Sequence, residues 1–163
     1  MDINRLLNWL DASTCNFLAV DTIRRELEAA GFTRLLPGES WNLKKNGRYY
    51  LTKNDSAIFA FIVGNRPAEE AGFRIIAAHS DSPCFKIKPN AEIYGDGGVV
   101  SLNVEKYGGG IMYTWFDRPL SLAGRVIVRT DNVLNPETRI IHIRRPLLTI
   151  PHPVSYTHLT LPT

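Results

Sequence analysis

The sequence predicts an α/β fold, and three patterns along the chain support this class. Residues 3–30 place apolar side chains at helical spacing, which indicates two successive helices. Residues 48–79 contain short apolar or alternating segments, which indicate strands. After residue 89, short alternating segments are separated by turn residues, which is typical of antiparallel β-structure rather than of further βαβ units.

Two helices are expected at the beginning of the chain. Residues 4–10 form the first, because the apolar residues at positions 3, 6, 7 and 10 recur at the spacing of one helix face. Ser13, Thr14 and Asn16 carry side-chain oxygens that can cap the N-terminus of the second helix. Gly31 is expected at the C′ position of that helix, where glycine adopts the left-handed conformation without a Cβ clash.

Strands are expected after the helices. Arg48–Lys53 and Ala57–Val63 flank the turn residues Asn54-Asp55-Ser56, which predicts a pair of strands. The polar stretch 65–72 contains a proline and is expected to be a loop. Arg74–His79 is a largely apolar run, which predicts a buried strand of a parallel sheet that ends at the histidine.

His79 and Asp81 are the candidate functional residues. Side chains alternate along an extended segment, so this pair is expected on one side of it. Open α/β sheets bind ligands just beyond the carboxyl ends of their strands, which is where the pair is expected. A neutral imidazole beside a carboxylate suits a metal ligand whose other ring nitrogen is oriented by that carboxylate. A hydrogen-bonded polar pair without a metal is the alternative that the residues alone leave open.

The remainder of the chain is expected to be rich in short strands. Alternating segments occur at residues 99–105 and 124–129, and a less regular one occurs at 138–144. Glycine-rich stretches and an Asp-Asn pair separate them, and these residues are typical of turns. We therefore predict an antiparallel β region after the α/β beginning.

Several other residues have both a functional and a structural interpretation. Gly108–Gly110 could bind an anion, but the run matches neither a Walker nor a Rossmann pattern and is expected to be a tight turn. Cys84 has no cysteine nearby, so a small buried side chain is expected rather than a metal thiolate. His142 is expected to be packed or hydrogen-bonded, and Trp115 and Phe116 are expected to anchor a core or an interface.

Composition and charge limit the possible partners. The chain of 163 residues carries a net charge of +3, and this excess lies after residue 110, where six arginines accompany three acidic residues. Without lysine clusters or a platform of aromatic residues, the arginines predict a solvated face or a subunit interface rather than a nucleic-acid site. No segment approaches the ~20 apolar residues of a membrane helix. Two distant cysteines and the lack of a secretory signal favour a cytoplasmic location, with no membrane partner.

Two long motifs resemble those of the aspartyl aminopeptidase family. Residues 72–88, which include His79 and Asp81, resemble the family's first metal motif, and residues 107–126 resemble its next long motif. Weaker matches lie at residues 29–32, 41–43 and 145–152. The motifs follow the family's order at the family's separation over roughly residues 5–152, and two long motifs in order are highly specific.

The resemblance implies a zinc-dependent aminopeptidase that removes N-terminal residues, acidic ones in the family's namesake. His79 matches a zinc-ligand position, and Asp81 matches the carboxylate that orients the metal-bound imidazole. The implied cofactor is Zn²⁺ with two ions in each active site, and the implied substrates are peptides with N-terminal Asp or Glu. The implied fold is a zinc-exopeptidase-like α/β catalytic domain, begun by residues 1–90. An inserted β-rich dimerisation domain, which supports a homo-oligomer, begins in residues 91–152.

The chain also departs from the family pattern. The family's remaining metal ligands and its general base belong to motifs that have no counterpart here. Tyr156 stands where a histidine of the substrate pocket is expected, His158 has different surroundings, and Leu18 replaces a histidine of many members. Residues 153–163 carry no charge and resemble a read-through ending, so a non-native tail is expected.

Two other hypotheses accompany the enzyme. With one zinc ligand, this chain is expected to be inactive alone, because catalytic zinc needs three protein ligands. The first alternative is a non-catalytic assembly or interaction module derived from such an enzyme. The second is a basic nucleic-acid-binding fragment, which would require a steep dependence of binding on salt. The sequence leaves open the remaining ligands, the acidic or neutral substrate preference, the oligomer size, the native metal and whether the fragment folds.

Overall fold

Two helices begin the chain. In the computed structural model, which describes residues 2–152, α1 covers Ile3–Ala12 and α2 covers Asn16–Ala29. The side chain of Asp2 caps α1 by accepting a hydrogen bond from the backbone N–H of Asn4 at 3.3 Å. Both predicted helices are therefore present. α1 extends beyond the predicted residues 4–10 at both ends, and α2 begins at Asn16.

The two ends of α2 differ in how well they were predicted. Gly31 adopts φ +81°, and the N–H groups of Gly31 and Phe32 donate to the carbonyls of Glu28 and Leu27, which is the expected C-terminal motif. The N-cap prediction was wrong: Cys15 occupies that position without a side-chain hydrogen bond to the helix. Ser13 is instead the C-cap of α1, because so few residues separate the two helices.

A three-stranded sheet follows the helices. β2 (Arg48–Lys53) lies in the middle, parallel to β1 (Thr33–Arg34) and antiparallel to β3 (Ala57–Ile62). The turn between β2 and β3 places Asn54 and Asp55 at φ +54° and +52°, and these residue types tolerate the left-handed region better than most. The predicted pair of strands is confirmed, whereas β1 had no clear periodic signal.

The core of this region lies between α2 and the sheet. Tyr50 of β2 is fully buried, and Val20 of α2 is 2 % exposed. The Tyr50 hydroxyl donates a hydrogen bond of 2.5 Å to the Glu28 carboxylate on α2. Burial followed by this hydrogen bond raises the pKa of Tyr50, and the same hydrogen bond, with help from Arg24, lowers the pKa of Glu28. A buried aromatic ring and a charge-assisted hydrogen bond thus join helix and sheet.

The described residues form two compact units. The first contains the residues up to Asp81 together with Ala123–Ile141, and the second contains Ser82–Leu122 together with the residues from His142 onward. The first unit also includes the short helix α3 (Ala68–Ala71). The predicted catalytic and dimerisation roles of residues 1–90 and 91–152 remain predictions.

The predicted strand at Arg74–His79 is not present. Residues 72–83 have no regular secondary structure, and the side chains of Phe73, Ile75 and Ile76 are 80 %, 76 % and 99 % exposed. A strand buried on both faces needs hydrogen-bonded neighbours and covering layers. Within the described part of the chain, this segment has neither, so its apolar composition does not produce a strand.

The remaining strands form two pairs. β4 (Cys84–Tyr94) pairs antiparallel with β5 (Val100–Tyr107) in the second unit, and β6 (Ala123–Val128) pairs with β7 (Glu137–His142). The register of β4 and β5 shifts between Ile87 and Glu92. Proline cannot donate a hydrogen bond to a strand neighbour, and Pro89 lies within that irregular stretch.

Short 3₁₀ helices at Asp96–Gly98 and Met112–Trp115 complete the described elements of the second unit. The strands predicted after residue 89 are confirmed with small changes in their limits, and the combination of helices and sheets confirms the α/β class. No helix in residues 2–152 is long and apolar enough to cross a membrane. The predicted non-native tail, residues 153–163, lies outside the described residues.

The Tyr50–Glu28 hydrogen bond makes stability depend on pH. Because the pKa of Glu28 is lower in the folded state than its ordinary value of 4.5, the ionised carboxylate stabilises the fold above that pH. This contribution is lost as the pH falls from 4.5 through the lowered folded-state pKa. In urea unfolding, we expect Tyr50→Phe to be less stable than the wild type at pH 7 and the difference to shrink below pH 4.5.

Tyr49→Phe is the matched control for this prediction. The Tyr49 hydroxyl accepts a hydrogen bond from the backbone N–H of Lys44 at 3.0 Å, and no ionisable side chain takes part. Its effect on the free energy of unfolding should therefore stay constant over the same pH range. A Tyr50→Phe effect that is equally constant would show that the Glu28 carboxylate does not contribute.

Candidate metal centre

His79 and Asp81 lie together, as the sequence predicts. The His79 Nδ1 nitrogen is 2.8 Å from the backbone oxygen of Asp81 and 3.2 Å from its carboxylate Oδ1. A backbone carbonyl can only accept a hydrogen bond, so Nδ1 is the nitrogen that carries the proton. In the neutral imidazole the other nitrogen, Nε2, then has the free lone pair that a metal requires.

The pair orients the imidazole more than it stabilises the fold. The side chain of His79 is 82 % exposed and that of Asp81 is 41 % exposed. Exposed charged pairs contribute little to the free energy of unfolding, because water screens them. Two acceptors on one residue nevertheless restrict the ring to one tautomer and one direction, which is the arrangement found around metal-bound histidines.

The pair suits zinc but does not form a complete site. Imidazole nitrogen is a common zinc ligand, and an acceptor on the opposite ring nitrogen is its usual partner. Among residues 2–152, no group of three or more His, Cys, Asp or Glu side chains is arranged to hold a metal ion. The described residues therefore bring together one imidazole and its orienting group, and a metal site would need further ligands from elsewhere.

The segment that carries the pair is attached through Ser80, which the sequence analysis missed. The Ser80 hydroxyl, half-buried, donates a hydrogen bond of 2.9 Å to the backbone oxygen of Ser56 in the β2–β3 turn. The alternation of side chains could have indicated that Ser80 projects away from its two neighbours. Its partner lies 24 positions earlier in the chain, and no local pattern identifies such a partner.

The chain bends at Gly108 and Gly109, where the sequence predicts a tight turn. Gly108 has φ +74°, and a Cβ there would lie 3.4 Å from the Pro83 side chain. A Cβ on Gly110 would lie 2.9 Å from Pro83 and 2.4 Å from Met112. The absence of a Cβ at these glycines thus allows the chain to pack closely on Pro83.

The remaining candidate residues have structural surroundings. Trp115, which is half-buried, packs edge to face on Phe85 with ring centroids 5.5 Å apart. Cys84 is the first residue of β4 and is half-buried. His142 is the last residue of β7. Phe116 packs edge to face on His152, and the backbone N–H of His152 donates to the Asp117 carboxylate at 3.0 Å.

A shallow cavity of about 410 Å³ lies in the first unit beside α2. Leu18, the position of local divergence from the family pattern, lines it together with Asp21, Arg24 and Arg25. The Asp21 carboxylate pairs with both arginines at 2.6 and 2.7 Å, and Arg24 also pairs with Glu28 at 2.8 Å. These charges neutralise one another along the helix. Asp55 of the β2–β3 turn also lines the cavity.

Comparison with known proteins identifies the family. Residues 9–160 match the family model described as aminopeptidase I zinc metalloprotease (M18). The chain is 50 % identical over 149 residues to a probable M18 family aminopeptidase 2 of Clostridium novyi, and this match covers 91 % of the chain and 34 % of that relative. The resemblance inferred from residues 72–88 and 107–126 is thereby confirmed.

Solved structures share the fold. The cryo-EM structure of the Ape4 and Nbr1 complex matches with a TM-score of 0.83 and 40 % identity, covering 90 % of this chain and 28 % of that one. The S. cerevisiae mApe1 dodecamer matches with a TM-score of 0.82 at 22 % identity, covering 91 % and 35 %, and shows the fold alone. The chain spans about a third of the length of the curated relatives it matches. On this evidence it belongs to the M18 family of aminopeptidase I zinc metalloproteases.

Proposed function

We propose that this chain is the N-terminal part of a zinc-dependent aminopeptidase, with His79 as a zinc ligand through Nε2. The observation that supports this most strongly is the position of Nδ1 between two oxygens of Asp81, which leaves Nε2 for the metal. Membership of a family described as zinc metalloproteases supports the choice of zinc. Two zinc ions in each active site are part of the proposal.

The roles of the residues follow from this geometry. Bound zinc would polarise the scissile carbonyl of a peptide and lower the pKa of a water molecule. His79 would be one ligand of the metal, and Asp81 accepts a hydrogen bond from Nδ1–H so that Nε2 carries the lone pair that a metal requires. In this proposal residues 1–90 belong to the catalytic domain and residues 91–152 begin the dimerisation domain. The protein acts in the cytoplasm.

The chain alone is proposed to be inactive. A catalytic zinc needs three protein ligands and an open position, and the described residues bring one imidazole and one orienting residue together. The complete enzyme is proposed to be a homo-oligomer, as the family resemblance implies.

A non-catalytic assembly module is the second candidate, and the β4–β5 pair favours it. Ile93, Tyr94, Val99 and Val100, near the connection between the two strands, are 50–74 % exposed. Apolar side chains exposed together are typical of surfaces that contact another protein. Stable self-association of the 163-residue chain without metal would favour this candidate over the enzyme, provided that a chimera of residues 1–152 with the C. novyi relative is inactive.

Activity can be tested in a chimera. Residues 1–152 would replace the matching part of the C. novyi aminopeptidase, with which this chain shares 50 % identity. We expect the chimera to cleave peptides with N-terminal Asp or Glu at least about tenfold faster, in kcat/KM, than the corresponding Leu peptide, and the 163-residue chain to cleave neither. A chimera that folds and binds zinc but hydrolyses no peptide would contradict the enzymatic proposal, and a preference for Leu would contradict the acidic specificity alone.

His79→Ala in the same chimera tests the metal ligand. Because the substitution removes the proposed ligand nitrogen, we expect zinc content measured by atomic absorption to fall and peptidase activity to drop below about one thousandth of the parent. His142→Gln is the control, since it removes another histidine that the structure places at the end of β7, and it should keep both zinc and activity. Full zinc content and activity in His79→Ala would rule out the assignment.

Asp81→Asn tests the orienting group. Loss of such partners typically weakens metal binding by 10–100-fold. We expect a loss near the lower end, about tenfold, because the nearer acceptor is the backbone oxygen of Asp81, which the substitution retains. This loss is measured as the change in the zinc dissociation constant of the chimera, determined by competition with a chelator. The control Asp96→Asn, in the short 3₁₀ helix of the second unit, should leave the dissociation constant unchanged. A dissociation constant of Asp81→Asn equal to that of the parent chimera would exclude a role for the Asp81 carboxylate.

A further inference from the structure

The segment that carries His79 has few means of holding its position. Residues 73–83 have no regular secondary structure, and residues 73–80 make no backbone–backbone hydrogen bond to another residue in the described range 2–152. The backbone here nevertheless has a defined task, because the nearest acceptor for His79 Nδ1 is the backbone oxygen of Asp81. The direction of the imidazole therefore depends on how the backbone between residues 79 and 81 is fixed.

Ser80 provides that fixation. Its hydroxyl is the group that donates 2.9 Å to the Ser56 backbone oxygen. Side chains alternate along extended backbone, and the contacts agree with this: Ser80 contacts the β2–β3 turn while His79 and Asp81 contact each other. A hydrogen bond from the middle residue can thus fix the backbone without occupying the side that the imidazole uses.

The turn that receives Ser80 is itself well fixed. It joins β2 to β3, and these strands are paired at six positions, from Arg48 opposite Ile62 to Lys53 opposite Ala57. Its left-handed residues Asn54 and Asp55 are followed by Ser56, whose N–H donates to the Lys53 oxygen at 3.2 Å. Ser56 therefore presents its carbonyl from a closed turn on a regular hairpin.

Arg125 of β6 holds the same turn from outside. Its guanidinium donates to the backbone oxygen of Asn54 at 3.2 Å and to the Asn54 side-chain oxygen at 2.7 Å. The guanidinium also lies 4.6 Å from the centre of the Phe17 ring on α2, a distance typical of a cation–π contact. The turn is thus connected to both α2 and β6 within the first unit.

We propose that Ser80 is a positioning residue for the metal ligand His79, acting through its hydrogen bond to the Arg125-held β2–β3 turn. The proposal rests on the proposed function, in which His79 binds zinc. Ser80 touches neither metal nor substrate in this role. It sets the place of the Asp81 backbone oxygen, and this oxygen keeps the proton on His79 Nδ1.

The tautomer of His79 is the direct readout of this role. Long-range ¹H–¹⁵N spectra of the 163-residue chain distinguish Nδ1–H from Nε2–H imidazole, and a His79→Gln variant identifies the His79 signals among the four histidines. We expect His79 to be mainly the Nδ1–H tautomer in the wild type and a mixture of both tautomers in Ser80→Ala. Ser80→Thr keeps a hydroxyl and should restore the wild-type pattern, and Ser82→Ala, two positions away, should also match the wild type.

Zinc affinity gives a second readout in the chimera of residues 1–152 with the C. novyi relative. We expect Ser80→Ala to weaken zinc binding about tenfold, within the range known for groups that orient metal ligands. Ser80→Thr and Ser82→Ala should bind zinc as the parent does. This measurement also decides the question if the 163-residue chain gives no resolved His79 signals.

The outcomes separate this proposal from the function on which it rests. Wild-type tautomer and wild-type zinc affinity in Ser80→Ala would overturn the role of Ser80 and leave His79 as a ligand. Full zinc content in His79→Ala would overturn the proposed function itself. A changed tautomer in Ser80→Ala that Ser80→Thr does not restore would also overturn the proposal, because the effect would then not depend on the hydroxyl.

Discussion

The contact between His79 Nδ1 and Asp81 is the interaction on which the rest of this site depends. An imidazole in water exchanges between two tautomers, and only a nitrogen without a proton can bind a metal. The backbone oxygen of Asp81 at 2.8 Å and its Oδ1 at 3.2 Å select one tautomer before any metal arrives. Such preorganisation favours zinc binding because the ligand needs no reorganisation when the ion binds. In the proposed role of Ser80, the hairpin, α2 and β6 would support this site by fixing the turn to which Ser80 binds.

Local signals in the sequence predicted the fold well, and non-local ones did not. The strands around Asn54-Asp55 and the end of α2 at Gly31 were correct, because their turn and cap chemistry lies within a few residues. The prediction of a strand at Arg74–His79 was wrong. A buried strand requires neighbouring strands and covering layers, and the pattern of apolar residues along one segment does not show whether these are present. β4 was missed because Pro89 and the irregular register around it conceal the alternation of that strand.

The candidate site was only partly accessible from the sequence. The spacing of His79 and Asp81 predicted that both side chains lie on one side of the segment, and the structure shows that they also contact each other. The sequence favoured the carboxylate of Asp81 as the orienting group, whereas the backbone oxygen lies closer to Nδ1. Ser80 and Arg125 could not be linked to the pair from the sequence, because their partners in the β2–β3 turn lie 24 and 71 positions away. Such partners become visible only when the chain has folded.

Anomalous diffraction at the zinc edge from crystals of the zinc-loaded chimera is the most direct measurement of the central claim. Our account predicts an anomalous peak at about 2.0–2.1 Å from His79 Nε2, the distance of a zinc–histidine bond. It also predicts that Nδ1 remains beside the backbone oxygen of Asp81, as in the structure described here. A zinc peak bonded to Nδ1, or a zinc site in which His79 takes no part, would contradict it.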